Sequence, residues 1–139
     1  MDKAQRRLTK SLGWFAASGA IGFLVDATIL TLLMGMASLS PIAARAISFP
    51  AAVTVTWLVN RRHAFAGRGL DNLRLEYSGY LAIQLVGALL NFWVFVACLK
   101  AWPPLVELPV VALAAGAAVA FAFNFAASQA TLYSSRRTR

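Results

Sequence analysis

The chain has 139 residues, of which 60% are hydrophobic and 13% are charged, and its mean hydropathy is +0.67. Soluble domains carry about 25% charged residues, so this composition argues against a soluble globular protein. The net charge of +8 is not a nucleic-acid signal either, because the basic residues are placed around apolar stretches as in a membrane protein.

Four apolar stretches divide the chain, at about residues 12–36, 42–60, 77–99 and 108–132. Each has the ~17–25 residues that a helix needs to cross a hydrocarbon core of ~30 Å. The basic start of the chain resembles a signal peptide, but the first stretch is longer than the ~7–15 apolar residues of a cleaved one. The sequence therefore predicts an all-α membrane protein, with four transmembrane helices in a single domain over residues 1–139.

The basic residues lie almost entirely on one side of these stretches. Of the 13 lysines and arginines, 11 precede the first stretch, lie between the second and third, or follow the fourth. Positive residues near the ends of membrane spans stay in the cytoplasm. Both termini and the central loop are therefore predicted to be cytoplasmic, in a multi-pass protein of the cytoplasmic (inner) membrane.

The first stretch contains a carboxylate, Asp26, well inside its apolar sequence. A charge at the centre of a spanning helix costs roughly 2.5–3.5 kcal/mol on insertion scales, and such residues usually face a bundle interior or a polar cavity. Ser18, Gly22 and Asp26 follow one another at four-residue spacing, so they share one helix face.

The second stretch carries Arg45 near its outer end, followed on the same face by Ser48, Thr56 and Asn60. Arg45 either reaches inward to Asp26 or extends to the outer membrane surface. We favour an intramembrane pair or a shared polar pocket over two isolated charges.

The third and fourth stretches are free of charge but contain amides. Ordinary packing of hydrogen-bonded amides, at about 0.6 kcal/mol each, is one interpretation. The other is that one polar stripe from each helix faces a common intramembrane pocket. That predicted pocket consists of Asp26, Arg45, Ser48, Thr56, Gln84, Asn91 and Asn124.

The second stretch ends with Asn60, Arg61 and Arg62, at the expected level of the lipid headgroups. A guanidinium binds phosphate through two parallel hydrogen bonds and keeps its charge when it is partly desolvated. These three residues are therefore predicted to bind a lipid phosphate. The alternative is a basic anchor that only fixes the topology.

The two halves of the chain look like parallel two-helix repeats; the alternative is that helix packing gave both halves similar small residues independently. A shift of 65 residues aligns the first stretch with the third, and a shift of 64 aligns the second with the fourth. The aligned pairs are Phe15 with Tyr80, Gly22 with Gly87, Asp26 with Asn91, Ala52 with Gly116, Trp57 with Phe121, and Asn60 with Asn124.

Catalytic chemistry is not predicted. The chain has one histidine, His63, and one cysteine, Cys98, and it has no phosphate-binding glycine loop or cluster of metal ligands. We therefore expect neither an enzyme nor a bound cofactor or metal.

The motifs that carry a family resemblance are Gly22-Phe23-x-x-Asp26, Ala46-Ile47-Ser48-Phe49, Trp57-Leu58-x-Asn60-Arg61-Arg62-x-x-Phe65 and Asn124-Phe125. In order and spacing they resemble the GtrA-like family of four-helix membrane proteins. Two departures are visible. His63 stands where the family often has an aromatic residue, and Ser128–Tyr133 replaces a basic-aromatic ending.

This resemblance implies a flippase that moves a polyprenyl-phosphate-linked monosaccharide across the membrane for cell-surface polysaccharide synthesis, in partnership with a membrane glycosyltransferase. Two alternatives stay open, a scaffold that only recruits the glycosyltransferase and a small proton-coupled exporter. The exporter predicts a weak charge bias, unlike the bias seen here. Because four packed helices leave little room for a sugar phosphate, we also expect a homo-oligomer, most simply a parallel dimer. Other expected partners are membrane lipids, but not nucleic acid.

Overall fold

The computed structural model describes residues 2–106 and 109–134, and every regular element within them is helical. The elements are α1 (Lys3–Met36), α2 (Pro41–Val59), a first π-turn (Asn60–Ala64), α3 (Leu73–Ala101), a 3₁₀ turn (Pro103–Val106), α4 (Pro109–Ala127) and a second π-turn (Ser128–Leu132). Side-chain oxygens begin two of the helices. Ser40 accepts from the amide of Ala43, and Asn72 accepts from the amides of Arg74 and Leu75.

Three of the described helices are long and apolar enough to cross a membrane, namely Lys3–Met36, Leu73–Ala101 and Val111–Leu132. Large apolar side chains point outward, as Phe23 at 71% and Trp93 at 63% exposure illustrate. The predicted all-α membrane fold is therefore confirmed. The shorter α2 stays a predicted span. α1 is about 51 Å long at 1.5 Å per residue, so its basic beginning extends beyond the hydrocarbon core.

The two π-turns are the clearest sign of an internal repeat. Phe65 follows the first and Tyr133 follows the second, with backbone angles of −122°, 30° and −122°, 31°. Each of these residues donates its amide hydrogen to the carbonyl oxygen five residues earlier, over 2.8 and 3.0 Å. Their rings then stack on each other at 4.3 Å. The ends of α2 and α4 are thus equivalent structures that meet between the two halves.

The π-turns correct the register that the sequence predicted for the second half. They align α2 with the end of the chain at a shift of 68 residues, not 64, so Asn60 corresponds to Ser128 and not to Asn124. The shift of 65 between α1 and α3 agrees with this alignment. Ser48 contacts Asp26, and its counterpart Gly116 lies against Asn91. A slip of one helical turn escapes sequence comparison because small residues recur every four positions along α4.

Each half is a helical hairpin, and the halves touch mainly at one end. α1 packs along α2 and α3 packs along α4, whereas the contacts between α2 and α3 and between α1 and α4 are few. We call the end that holds both π-turns and the segment 65–72 the basic end, since Arg61, Arg62 and Arg68 lie there.

The halves are joined at the basic end by the carboxylate of Glu76, which is fully buried. Its Oε1 accepts from Trp57 Nε1 and from the Tyr133 hydroxyl, both at 2.9 Å. Its Oε2 accepts from the Leu70 amide at 2.7 Å and pairs with Arg61 Nη1. A buried carboxylate is tolerated only when its oxygens are paired in this way. The third apolar stretch was predicted to begin at about residue 77, which left Glu76 in the central loop; this is wrong, because α3 begins at Leu73 and contains Glu76.

Aromatic rings fill the space beneath this carboxylate. Phe65 stacks on Tyr133 and lies 5.8 Å from Phe125, while Phe15 packs edge-on against Phe125 at 5.4 Å. This cluster draws rings from α1, α4 and the residues after both π-turns, so it forms the apolar core between the halves.

The close packing of α3 against α4 can be tested by substitution of Gly116. A Cβ there would lie 2.6 Å from the backbone oxygen of Asn91, so Gly116→Ala is expected to lower stability by about 1–3 kcal/mol through overpacking. Thermal unfolding of the detergent-solubilised protein measures the change. The matched control is Gly13→Ala, which meets nothing within 4 Å and should gain up to about 1 kcal/mol from helix propensity. Equal effects of the two substitutions would contradict the predicted close approach.

Glu76→Gln is expected to destabilise the protein by about 3–5 kcal/mol, because it leaves Arg61 without its buried charged partner. The new side-chain NH2 group would also face donors that now bond to the carboxylate, such as Trp57 and Tyr133. Tryptophan fluorescence during thermal unfolding reports this change, since Trp57 bonds directly to the carboxylate. Asp71→Asn is the control, as it neutralises an exposed carboxylate of the adjacent loop. A melting temperature of Glu76→Gln equal to that of Asp71→Asn would show that Glu76 does not hold the halves together.

Candidate functional site

A cavity of about 220 Å³ lies between the two halves, below the aromatic core. All four helices contribute to it, together with the first π-turn. Its lining residues are Phe15, Ser18, Gly19, Thr56, Asn60, Tyr80, Gln84, Asn91, Ala117, Ala120, Phe121 and Asn124. None of these described residues is charged. Seven of them carry a hydroxyl or an amide group, one of which is the phenol of Tyr80. The cavity can therefore form hydrogen bonds without presenting a fixed charge.

Asn60 forms one wall of the cavity and is held from both sides. It accepts a hydrogen bond from Ser18 Oγ at 2.7 Å and donates from Nδ2 to the Tyr80 hydroxyl at 2.7 Å. Because Ser18 lies in α1 and Tyr80 in α3, this amide connects the two halves. Asn60 is 1% exposed, so its orientation is fixed by the protein.

Asn124 lines the same cavity, but its side-chain oxygen is buried against Gly87 of α3. Its Nδ2 donates to Gln84 Oε1 at 3.0 Å, whereas its Oδ1 is buried and has no hydrogen-bond partner among the described residues. A buried polar atom without a partner in a native protein requires an explanation. Gly87 lies directly against this oxygen, so the close approach of α3 and α4, and not a free acceptor in the cavity, accounts for it.

The cavity opens toward the surrounding medium between α1 and α4. Gly19, Ala117 and Phe121 line it and are exposed, whereas Asn60 and Tyr80 on the opposite wall are buried. This opening follows the seam where α1 and α4 make few contacts. A ligand that lies partly in lipid could therefore enter the cavity sideways.

The structure brings together only part of the predicted intramembrane pocket. Thr56, Gln84, Asn91 and Asn124 share the cavity. Asp26 and Ser48 do not line it, and they form a separate contact in which Ser48 Oγ donates to Asp26 Oδ1 at 2.7 Å. The side chain of Arg45 lies outside the described residues, so its pairing with Asp26 stays a prediction.

The predicted phosphate-binding residues have different surroundings. Asn60 is directed into the cavity, Arg61 is bonded to Glu76, and Arg62 is exposed. Arg62 is therefore the residue of the three with the most direct access to a lipid headgroup. The basic residues Arg136, Arg137 and Arg139 lie outside the described residues.

Tyr80 was not among the predicted site residues, and Ser18 and Asn60 were not assigned to the predicted pocket. The aligned repeat contained a signal for Tyr80, since it corresponds to Phe15, and both residues line the cavity. Its hydroxyl is the feature that distinguishes the second half at this position. Among the described residues no group of side chains could hold a metal ion.

A scan against protein-family models matches the GtrA/DPMS transmembrane domain over residues 14–133. Searches of curated proteins and of solved structures found no match. The family match covers both repeats, the cavity and Glu76. The chain therefore belongs to the GtrA/DPMS transmembrane-domain family and is a multi-pass membrane protein.

Proposed function

We propose that this protein is a flippase for a polyprenyl-phosphate-linked monosaccharide in cell-surface polysaccharide synthesis. The observation that supports this proposal best is the uncharged, hydrogen-bonding cavity in the middle of the bundle. Sugar hydroxyls are strong donors and acceptors that are costly to place in hydrocarbon without partners. The amides of Gln84, Asn91 and Asn124, which line the cavity, would replace part of their hydration.

The seam between α1 and α4 would accommodate the polyprenyl chain of such a substrate. A polyprenyl chain is apolar and would stay in the bilayer beside Ala117, while its sugar occupies the cavity. The protein then needs to shield only the sugar and phosphate, which is consistent with its small size. This division requires no covalent chemistry, so the proposal is of a transporter and not an enzyme.

The proposed orientation places the basic end in the cytoplasm, in the cytoplasmic membrane. It rests on the distribution of lysine and arginine along the sequence. In this orientation Arg61 and Arg62 lie at the headgroup level. Arg61 is already paired with Glu76, so exposed Arg62 is available for a first contact with the substrate phosphate, whereas Asn60 lies deeper, in the wall of the cavity.

Transport is tested by reconstituting the protein in vesicles and measuring how fast a polyprenyl phosphomonosaccharide crosses the bilayer. Wild-type protein should accelerate crossing over protein-free vesicles. Gln84→Leu should reduce the rate about three- to tenfold, since it removes hydrogen bonds worth about 0.5–1.5 kcal/mol each. The matched control is Leu85→Ala, an adjacent and lipid-exposed position, which should transport normally.

Failure of the wild type to accelerate crossing would defeat the transport proposal. A stable complex between such an inactive protein and a membrane glycosyltransferase would instead support the scaffold. Proton-driven export of a small molecule, with no movement of glycolipid, would support the exporter.

We further propose a parallel homodimer as the working unit, because one bundle encloses only about 220 Å³. Mass measurement of the protein in nanodiscs made from native membranes should show a mass of two chains. A fully active preparation that is strictly monomeric would contradict the dimer.

A further inference from the structure

A second cavity, of about 450 Å³, lies at the basic end beside α1. Arg7 and Lys10 from α1 line one side, and Arg68 from the segment after the first π-turn lines the other. His63 also faces it, with its ring stacked on Trp14 at 4.3 Å. No carboxylate is found among the described residues of its lining, so positive charges converge on this space without a compensating negative group.

Arg68 is held in place at the edge of this cavity. Its Nη2 donates to Ser11 Oγ and to the carbonyl oxygen of Ala64, both at 2.9 Å. The guanidinium carbon lies 5.2 Å from the centre of the Phe65 ring, a cation–π arrangement. These contacts orient a half-buried arginine before any ligand arrives, which lowers the entropic cost of binding.

The electrostatic environment of Arg68 differs from that of Arg61. Burial and the nearby positive charge of Arg7 both lower the pKa of Arg68, although an arginine keeps its proton in proteins. Arg61, in contrast, is paired with Glu76. An anion placed between Arg68 and Arg7 would relieve repulsion, whereas an anion at Arg61 competes with a buried carboxylate.

Arg68 also lines a neighbouring cavity of about 400 Å³ whose other wall mixes apolar and polar side chains. That wall is formed by Phe125 and Ala126 at the end of α4, by Gln129 and Ala130 of the second π-turn, and by Tyr133 and Ser134 after it. The Phe125 ring contacts Phe15, and Phe15 in turn lines the mid-bundle cavity. Arg68 thus lies between two cavities, a cationic one beside α1 and one of mixed polarity beside the end of α4.

We propose that Arg68, Arg7 and Lys10 form a phosphate-binding site at the basic end of the α1–α4 seam, separate from Asn60, Arg61 and Arg62. The chemistry recognised is a phosphate monoester or diester, carried by a lipid or free in solution. Its assignment to the transported lipid rests on the proposed function, whereas the site itself rests on the convergence of charge around an oriented guanidinium.

The test measures binding of polyprenyl monophosphate to the full-length protein in phosphatidylcholine nanodiscs, with the unphosphorylated polyprenol as the reference. Arg68→Gln should weaken binding of the phosphate about tenfold, as expected for the loss of a charge-assisted hydrogen bond. Because Arg68 also contacts Ser11 and Ala64, a double variant, Arg7→Gln with Lys10→Gln, alters only exposed side chains and should weaken binding several-fold. Arg74→Gln is the control for non-specific charge and should bind normally.

Three results would overturn the site. The first is unchanged affinity in the double variant. The second is an equal loss of affinity in Arg74→Gln, which would show only diffuse attraction. The third is equally tight binding of polyprenol, which would exclude phosphate recognition. Competition by inorganic phosphate would identify free phosphate as a sufficient ligand, whereas retained lipid binding in its presence would identify the lipid headgroup.

Wild-type protein in vesicles that binds the phosphate but does not move glycolipid would defeat the transport proposal and leave this site intact.

Discussion

The buried carboxylate of Glu76 is the constraint on which the arrangement of the two halves depends. It sits in the first turn of α3 and receives hydrogen bonds from α2, from the connecting segment and from the residue after the second π-turn. A desolvated carboxylate is stable only while its donors remain in place, so the ends of three chain segments must meet at this point. The stacked rings of Phe65 and Tyr133 lie beside it and exclude water. Away from this end the hairpins share few contacts, and the polar cavity lies in the space between them.

The two repeats place different side chains at equivalent positions. Equivalent positions carry different chemistry: Arg61 pairs with Glu76, whereas its counterpart Gln129 carries an unpartnered buried oxygen among the described residues. Likewise Ser48 bonds to Asp26, while Gly116 only makes room for Asn91. The ion pair of Arg61 with Glu76 joins the two halves, whereas the amides that face the cavity come mostly from the second half. A symmetric scaffold has therefore acquired an asymmetric interior, which under the proposed function would offer a sugar phosphate a cation at one end and neutral amides further in.

Much of this fold could be predicted from the sequence, because hydrocarbon imposes simple length and charge rules. The spans, the four-residue stripes of small and polar residues and the repeat of α1 in α3 all follow from these rules. The register of α4 could not be predicted, since alanines and glycines at every fourth position fit equally well one turn away. Glu76 was also missed, because a glutamate next to an arginine-rich loop is usually solvated, and only the tertiary fold brings Trp57 and Tyr133 to it. The pocket was predicted as one site, but facing stripes do not determine which neighbours meet, so Asp26 and Ser48 pair with each other outside the cavity.

The central claim is that a lipid-linked sugar enters the cavity through the seam between α1 and α4. Site-specific photo-crosslinking tests it most directly, with a photoreactive phenylalanine analogue at Ala117, which lines the cavity mouth and is exposed. Val119 is the reference position, since it is exposed at similar depth on a different face of α4. The account predicts that Ala117 captures a polyprenyl phosphomonosaccharide far more than Val119 does, and that excess unlabelled glycolipid suppresses this product. Equal capture at both positions, or capture that unlabelled glycolipid does not reduce, would contradict it.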